Sequence, residues 1–341
     1  MKKVFVVLLL IFLAAVWIYK GVLTGTPAEG GKSFHTEETS VLPADLSSSG
    51  LVSKNSSSPE ETAKKLSPQD GYPALKAYSA ILFDLNKGRI LHEKNAKEKC
   101  YPASTTKILT ALIAIENCSL KDSVTVGDEA NFPAPGSSMS GIRYGEKLTM
   151  EQLLNCLLIP SGNDAAYTIA AYTAGKMSKN GKLSDREAVE FFCKAMNKRA
   201  RELGAKDSSF VNPDGFHDPE HYTTAYDLCL IARETIKHKE FGDIVRKTVY
   251  KLPDVRTKDK TGKQRSEPRV LVNTNKLLIK NDPDYFKFAT GLKTGHTEEA
   301  GYCLVSTAET GNRDILAVVM GSTEEQVWSD SVKLLQLGLK K

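Results

Sequence analysis

The chain carries strand patterns towards both of its ends and helical patterns between them, and that order leaves few folds open. Towards the N-terminal side, YSAILFDLNKGRILHEKN (residues 78–95) alternates apolar and polar residues around Asn86-Lys87-Gly88, which is a β-hairpin pattern. Towards the C-terminal side, three further strand runs follow one another. They are FATGLKTG (288–295), AGYCLVSTAET (300–310) and RDILAVVMGS (313–322), the last two joined at Gly311-Asn312. Between the two ends, apolar residues recur with helical period over 103–117, about 149–158, 163–174, 185–203 and 223–238. A last helical run covers about 323–338. Strands from both ends with helices between them imply one sheet covered by helices. No internal repeat interrupts this plan. PDVRTKDKTGKQRSEPR (253–269) is too polar for a core and reads as an exposed excursion.

The first residues, MKKVFVVLLLIFLAAVWIYKG, place two lysines before sixteen apolar residues, Val4 to Tyr19. This is an export signal by charge and hydrophobicity, and the apolar run extends to Leu23 as a short membrane anchor if it is retained. Either way the body of the protein is expected outside the cytoplasm, anchored to the membrane or secreted. Residues 24–71 are rich in Ser, Thr, Gly, Pro, Glu and Lys without an apolar face, so a disordered linker is expected before a body spanning 72–341. A length of 341 residues allows one large domain or two ordinary ones. The net charge of +5 suits an anionic envelope, and the clustered basic and aromatic pattern of nucleic-acid binding is missing. Six cysteines could pair in an exported chain. Cys156, Cys193, Cys229 and Cys303 instead sit within apolar runs, as buried free thiols do.

Chemistry enters with YPASTTKILTALIAIEN (101–117). Ser104 and Lys107 stand three residues apart at the start of a helix, so Oγ and Nζ share a face. Serine is a poor nucleophile until a base takes its proton. A lysine in an apolar site, facing the positive end of a helix, is driven towards its neutral form and becomes a candidate base. A chance Ser-x-x-Lys is expected about once in a chain this long, and Pro-x-Ser-Thr is also an ordinary helix opening. No other serine here has Lys at that spacing.

Ser161-Gly162-Asn163 lies between two helical runs in LLNCLLIPSGNDAAYTIAAYTAG. A serine there offers a proton relay, and an asparagine amide can hold a substrate carbonyl while touching the lysine. Taken by itself, this is better read as a helix N-cap. Two other Ser-x-Asn triplets, at 53–55 and 178–180, lie in polar, turn-like surroundings. Lys293-Thr294-Gly295 occurs in a strand run, where Lys293 offers charge and Thr294 a hydroxyl to a carboxylate, and Gly295 permits close backbone approach. The same triplet at 260–262 falls inside the charged excursion and is set aside.

Ser-x-x-Lys, Ser-x-Asn and Lys-Thr-Gly, falling in order on helix, inter-helix loop and strand, form the set of penicillin-binding proteins and class A β-lactamases. YPASTTKILTAL, LLIPSGNDAA, GLKTGHTEEAGYCLVS and FVNPDGFHDPEHYTTAYDLCLIA (210–232) resemble the D-alanyl-D-alanine carboxypeptidases, the low-molecular-mass penicillin-binding proteins of the S11 serine peptidase family. The resemblance covers about 72–338. It implies an α/β fold of the β-lactamase/DD-peptidase type, an antiparallel sheet flanked by helices with a helical subdomain. It implies Ser104 as acyl-forming nucleophile, Lys107 as its base, and Ser161 and Asn163 assisting proton transfer and substrate binding. Lys293 and Thr294 would hold the terminal carboxylate beside Gly295, and the N–H groups of Ser104 and His296 would form the oxyanion hole. Peptidoglycan stem peptides become the expected substrates and β-lactams the expected inhibitors, with roles in cell-wall biogenesis and cell shape. No cofactor is required.

The pattern departs from that family in places. Many members add a small β-domain and a C-terminal amphipathic helix, neither of which follows here, so anchoring would fall to the N-terminal segment. An arginine often found late in the family domain has no match: Arg313 is near the place but offset by one residue. His217 and His221 have i, i+4 spacing, yet Pro219 opposes a helix and no third ligand is near, so no metal site is assigned. Two other functions share the motifs. A class A β-lactamase would need an added glutamate to speed deacylation, and no Glu-x-x-x-Asn follows the second motif. A non-catalytic penicillin sensor would need a signalling domain, and the N-terminal segment leads to none.

Overall fold

The computed structural model describes residues 73–178, 183–253, 257–258, 264–265 and 268–341. The export segment, the linker, the Ser-x-Asn triplet at 53–55, most of that at 178–180, and Lys260-Thr261-Gly262 lie outside the described residues. In chain order the elements are β1 (Ser79–Asp84), β2 (Arg89–Lys94), α1 (Lys107–Asn117), β3 (Ser123–Thr125) and β4 (Lys147–Thr149). Then come α2 (Met150–Leu158), α3 (Asn163–Met177), α4 (Asp185–Glu202), α5 (Ala225–Thr235) and α6 (Lys239–Val245). The chain continues through β5 (Val249–Leu252), β6 (Thr257–Lys258), β7 (Gln264–Arg265), β8 (Arg269–Val272), β9 (Ala289–Thr297), β10 (Gly301–Thr310), β11 (Arg313–Ser322) and α7 (Glu324–Lys340).

The N-terminal hairpin joins the C-terminal strands in one antiparallel sheet of order β2-β1-β11-β10-β9. β1 pairs with β11 through Ser79↔Met320 and Phe83↔Leu316, so the chain's two strand groups close on each other. Alternation along the strands then builds two cores. Leu82, Leu304, Ala317 and Val319 pack under Val327, Trp328, Leu334 and Leu335 of α7. A helical Gly338 lets α7 sit close, because a Cβ there would meet Ile315 Cγ2 at 2.6 Å. Ile81, Val305, Val318 and Met320 face the other way, into the larger core with Ile108, Leu112, Leu154, Ile169 and Ile231. The long helices begin where side chains satisfy their first N–H groups: capping boxes of Thr149 with Gln152 and of Ser184 with Glu187, and the Thr224 cap of α5.

Two expectations need correction. The helix expected over 223–238 ends at Thr235, and a turn through His238 starts the separate α6. The run at 103–117 is not one helix: Ala103–Thr106 is a 3-10 turn, and the α-helix starts at Lys107. All six cysteines are free, four of them buried. Among the described residues β9 is the last strand of this sheet, and no strand pairs with its outer edge.

Candidate active site

The 3-10 turn brings Ser104 to the surface while its neighbours stay buried. Ala103 on one side takes φ 48°, a conformation uncommon outside glycine, and Thr105, Thr106 and Lys107 are inaccessible. Lys107 Nζ lies 2.8 Å from Ser104 Oγ, 2.7 Å from Asn163 Oδ1 and 2.7 Å from the carbonyl oxygen of Asp214. Asn163 Oδ1 and Asp214 O can only accept. A neutral amine has two N–H groups to give them, and its lone pair then faces the Ser104 hydroxyl. Burial pushes Lys107 down to about 8, against the pull of the Asp214 and Asp164 carboxylates. The same three contacts hold the ammonium, and a midpoint of about 8 keeps a reactive neutral fraction within reach near neutral pH.

The segment Asn212–Phe216 supplies a contact that the motif reading missed. Asn212 accepts from Gly215 N at 2.8 Å and its amide donates to Phe216 O at 2.9 Å, which closes the Asn-x-x-Gly turn. Thr110 donates to Pro213 O at 2.6 Å and docks that turn on α1, leaving the Asp214 carbonyl aimed at Lys107. Gly215 sits at φ 82° with its Cα against Ala103 O, where any Cβ would collide. The signal was present as Asn212 and Gly215, but the contact uses a main-chain oxygen, which no residue type announces. The Asp214 side chain is buried too. Its Oδ1 accepts from Phe216 N at 3.2 Å and its Oδ2 has no hydrogen-bond partner among the described residues. Burial pushes its carboxyl up, against the pull of Lys107.

Asn163 opens α3, and the next residue fixes it. Asp164 is fully buried and accepts from Ser140 N and Oγ, Gly141 N, Ile142 N and Ala165 N at 2.8–3.1 Å. Those bonds clamp the 138–142 loop onto the start of α3. Ser161 is buried and takes φ 65°, so the Ser-x-Asn loop, like the nucleophile turn at Ala103, holds a non-glycine residue in the left-handed region. It does not cap α3; Gly162 occupies that position. Nor is Ser161 among the three hydrogen-bond partners of Lys107.

β9 lies directly on the nucleophile turn. A Cβ on Gly295 would stand 3.0 Å from Ser104 N, 3.0 Å from Thr105 N and 2.9 Å from Pro102 O, so only glycine leaves this gap open. Lys293 is buried and donates to Thr294 O at 2.8 Å. Burial, with Lys107 nearby, holds its ammonium well below the usual lysine range. His296 is exposed, stacked on Tyr302 at 4.1 Å, and lines a cleft of about 480 Å³ with Ser104, Asn163, Gly215, Phe216 and His217.

The remaining candidates fall elsewhere. His221 is buried behind the turn: Nδ1 accepts from Val211 N at 3.1 Å, Nε2 faces Thr106 Oγ1 at 2.8 Å, and burial pushes the ring down to about 3. With both nitrogens engaged it supports the turn and has no lone pair for a metal. His217 lies 3.8 Å from Glu299, at the cleft. Arg313 begins β11 at the β10–β11 turn, 4.0 Å from Asp84, whereas Lys293 pairs with Val305 further along the sheet. No helix among the described residues is long and apolar enough to cross a membrane.

The D-alanyl-D-alanine carboxypeptidase model of peptidase family S11 matches residues 64–324. D-alanyl-D-alanine carboxypeptidase DacF of Bacillus subtilis is 33% identical over 288 residues, which are 83% of this chain and 67% of the relative. DacC of Escherichia coli is 31% identical over 79% of this chain and 62% of its own length. The chain thus spans about two thirds of the length of these two relatives. The crystal structure of the Streptomyces K15 DD-transpeptidase superposes with a TM-score of 0.70 at 30% identity, covering 79% of this chain and 99% of that one. Fold, motif order and sequence agree, and the chain belongs to the D-alanyl-D-alanine carboxypeptidase family, S11.

Proposed function

We propose that this chain is a penicillin-binding, serine-type carboxypeptidase that removes the terminal D-alanine from peptidoglycan stem pentapeptides. The observation that carries this is the Lys107 triangle: a buried Nζ within 2.7–2.8 Å of Ser104 Oγ, Asn163 Oδ1 and Asp214 O, where a neutral amine gives its two N–H groups to the carbonyl oxygens and turns its lone pair to Ser104. Lys107 takes the Ser104 proton as Oγ attacks the carbonyl of the penultimate residue. The oxyanion forms against the N–H groups of Ser104 and His296, in the gap that Gly295 leaves. The new Lys107 ammonium is held by Asn163 Oδ1, Asp214 O and the nearby carboxylates, and it returns its proton to the departing D-alanine amine. Ser161 stands beside Asn163 as a relay for that proton. Water then hydrolyses the ester, with Lys107 again as base.

Lys293 and Thr294 hold the free carboxylate of the chain end, while the open edge of β9 receives the extended peptide. A β-lactam follows the first half of this path, but its leaving group stays tethered and obstructs water. Residues 72–341 form the catalytic domain, and residues 1–71 carry it outside the cytoplasm as a signal or anchor with a linker. The N-terminal sequence of the mature protein distinguishes those two. Peptide mapping after fluorescent penicillin treatment tests the nucleophile. The label is expected on Ser104 and lost in Ser104→Ala. A label on Ser161, or labelling that survives Ser104→Ala, refutes the assignment.

A further inference from the structure

The segment between β8 and β9 carries a residue that no catalytic motif contains. Asn273-Thr274-Asn275 presents one exposed threonine between two buried asparagines. The Asn273 amide donates to Lys247 O at 2.8 Å and Val245 O at 3.3 Å, and its N–H donates to Thr248 O at 2.8 Å. Asn273 Oδ1 accepts from Asn275 N at 2.9 Å, and Asn275 Oδ1 accepts from Leu277 N at 3.1 Å. Thr274 N donates to Ile159 O at 3.2 Å, just before the Ser-x-Asn loop. The segment is therefore pinned on every side except at the Thr274 hydroxyl, which reaches Thr294 Oγ1 at 2.6 Å.

An exposed hydroxyl pair adds little to stability, since water offers each group an equal partner. Its consequence is directional. Two hydroxyls bonded to each other use one of their two hydrogens. If Thr274 donates, the Thr294 hydrogen is free and points away from Thr274, towards an incoming acceptor. The Thr294 carbonyl is held in turn by Lys293 Nζ. Thr294 is thus fixed at its carbonyl and its hydroxyl, with the hydroxyl hydrogen left over. Donation from Thr274 also polarises the Thr294 hydroxyl and strengthens the bond it makes next.

The described residues lining the Ser104 cleft include no Arg or Lys, and Lys293 and Thr294 precede its lining residues His296 and Thr297 on β9. Arg269 pairs with Glu146, Arg246 with Glu309, and Arg313 lies beside Asp84. A carboxylate arriving at β9 meets one buried lysine and the hydroxyl pair. We propose that Thr274 is a positioning residue for chain-end recognition: it orients the Thr294 hydroxyl so that its free hydrogen meets the substrate's terminal carboxylate. This rests on the carboxypeptidase reading.

The test is a substrate-by-variant comparison. Release of the terminal residue is measured from diacetyl-Lys-D-Ala-D-Ala and from its C-terminal carboxamide, with kcat and KM resolved. Thr274→Val is expected to lower kcat/KM for the acid about tenfold, mainly through KM, and to change the amide by less than about twofold. Thr274→Ser should restore the acid preference. In a Thr294→Val background, Thr274→Val should add nothing, because the residue through which it acts is gone. Equal losses on acid and amide, or a full additional loss in the double variant, would show that Thr274 merely braces the loop and would overturn the inference. An unaltered enzyme that releases nothing from either peptide would overturn the carboxypeptidase reading itself, and this inference with it.

Discussion

Lys107 sets a pH dependence whose sign and size follow from its surroundings. The reactive form is the neutral amine, and burial places its midpoint at about 8. The neutral fraction is then about one hundredth at pH 6, one tenth at pH 7 and one half at pH 8. The acylation rate at saturating β-lactam should rise about tenfold between pH 6 and 7 and level off above about 8–9. Asp214→Asn provides the second perturbation. The Asp214 carboxylate raises Lys107, opposing burial, so its loss moves the midpoint below 8 while the main-chain contact from Asp214 O is kept. The plateau should fall as well, because the ammonium formed in the transition state loses a stabilising charge. Stopped-flow acylation by a fluorescent penicillin from pH 5.5 to 9.5 measures both. A rate that falls as pH rises through 8, or a midpoint that moves upward in Asp214→Asn, would refute the neutral-lysine argument.

Lys293 should act with the opposite sign on binding. Its ammonium is the form that attracts a carboxylate, and its range is already lowered, so KM for the peptide should rise on the alkaline side as the proton is lost. Lys293→Ala should reduce kcat/KM by roughly 10- to 100-fold, and Lys260→Ala should leave it unchanged; equal effects would place the cleft elsewhere. Gly215→Ala should destabilise by more than about 2 kcal/mol in thermal melts, since φ 82° disfavours any Cβ and this one collides with Ala103 O. An unchanged melting temperature would mean that the 212–216 turn does not brace the nucleophile.

What sequence made legible follows from period and order. The runs in 78–95 and 300–322 read as strands because short apolar stretches are bounded by turn residues, although β1, β10 and β11 prove buried on both faces, and the six helical runs stood out by their 3.6-residue period. The motifs could be ordered because their elements were. Other features left no such trace. Ala103 and Ser161 adopt left-handed backbone, which neither residue type signals. The 3-10 opening before Lys107 has the same apolar spacing as the helix it precedes. The third partner of Lys107 is a carbonyl, which every residue possesses. Thr274 is one threonine in a polar stretch until the fold sets it against Thr294. A short amphipathic turn such as α6 cannot be separated by period from the helix before it, so only its tertiary setting divides them.

The central claim is that a free chain end is recognised and one D-alanine is removed through an ester on Ser104. The most direct measurement incubates the catalytic body with a stem pentapeptide and follows products by mass, together with the lifetime of a fluorescent penicillin adduct. The account predicts one D-alanine and one tetrapeptide per turnover, abolished in Ser104→Ala, and an adduct that persists far longer than the peptide ester. Rapid penicillin hydrolysis without D-alanine release, or a stable adduct with every stem peptide left intact, would contradict it.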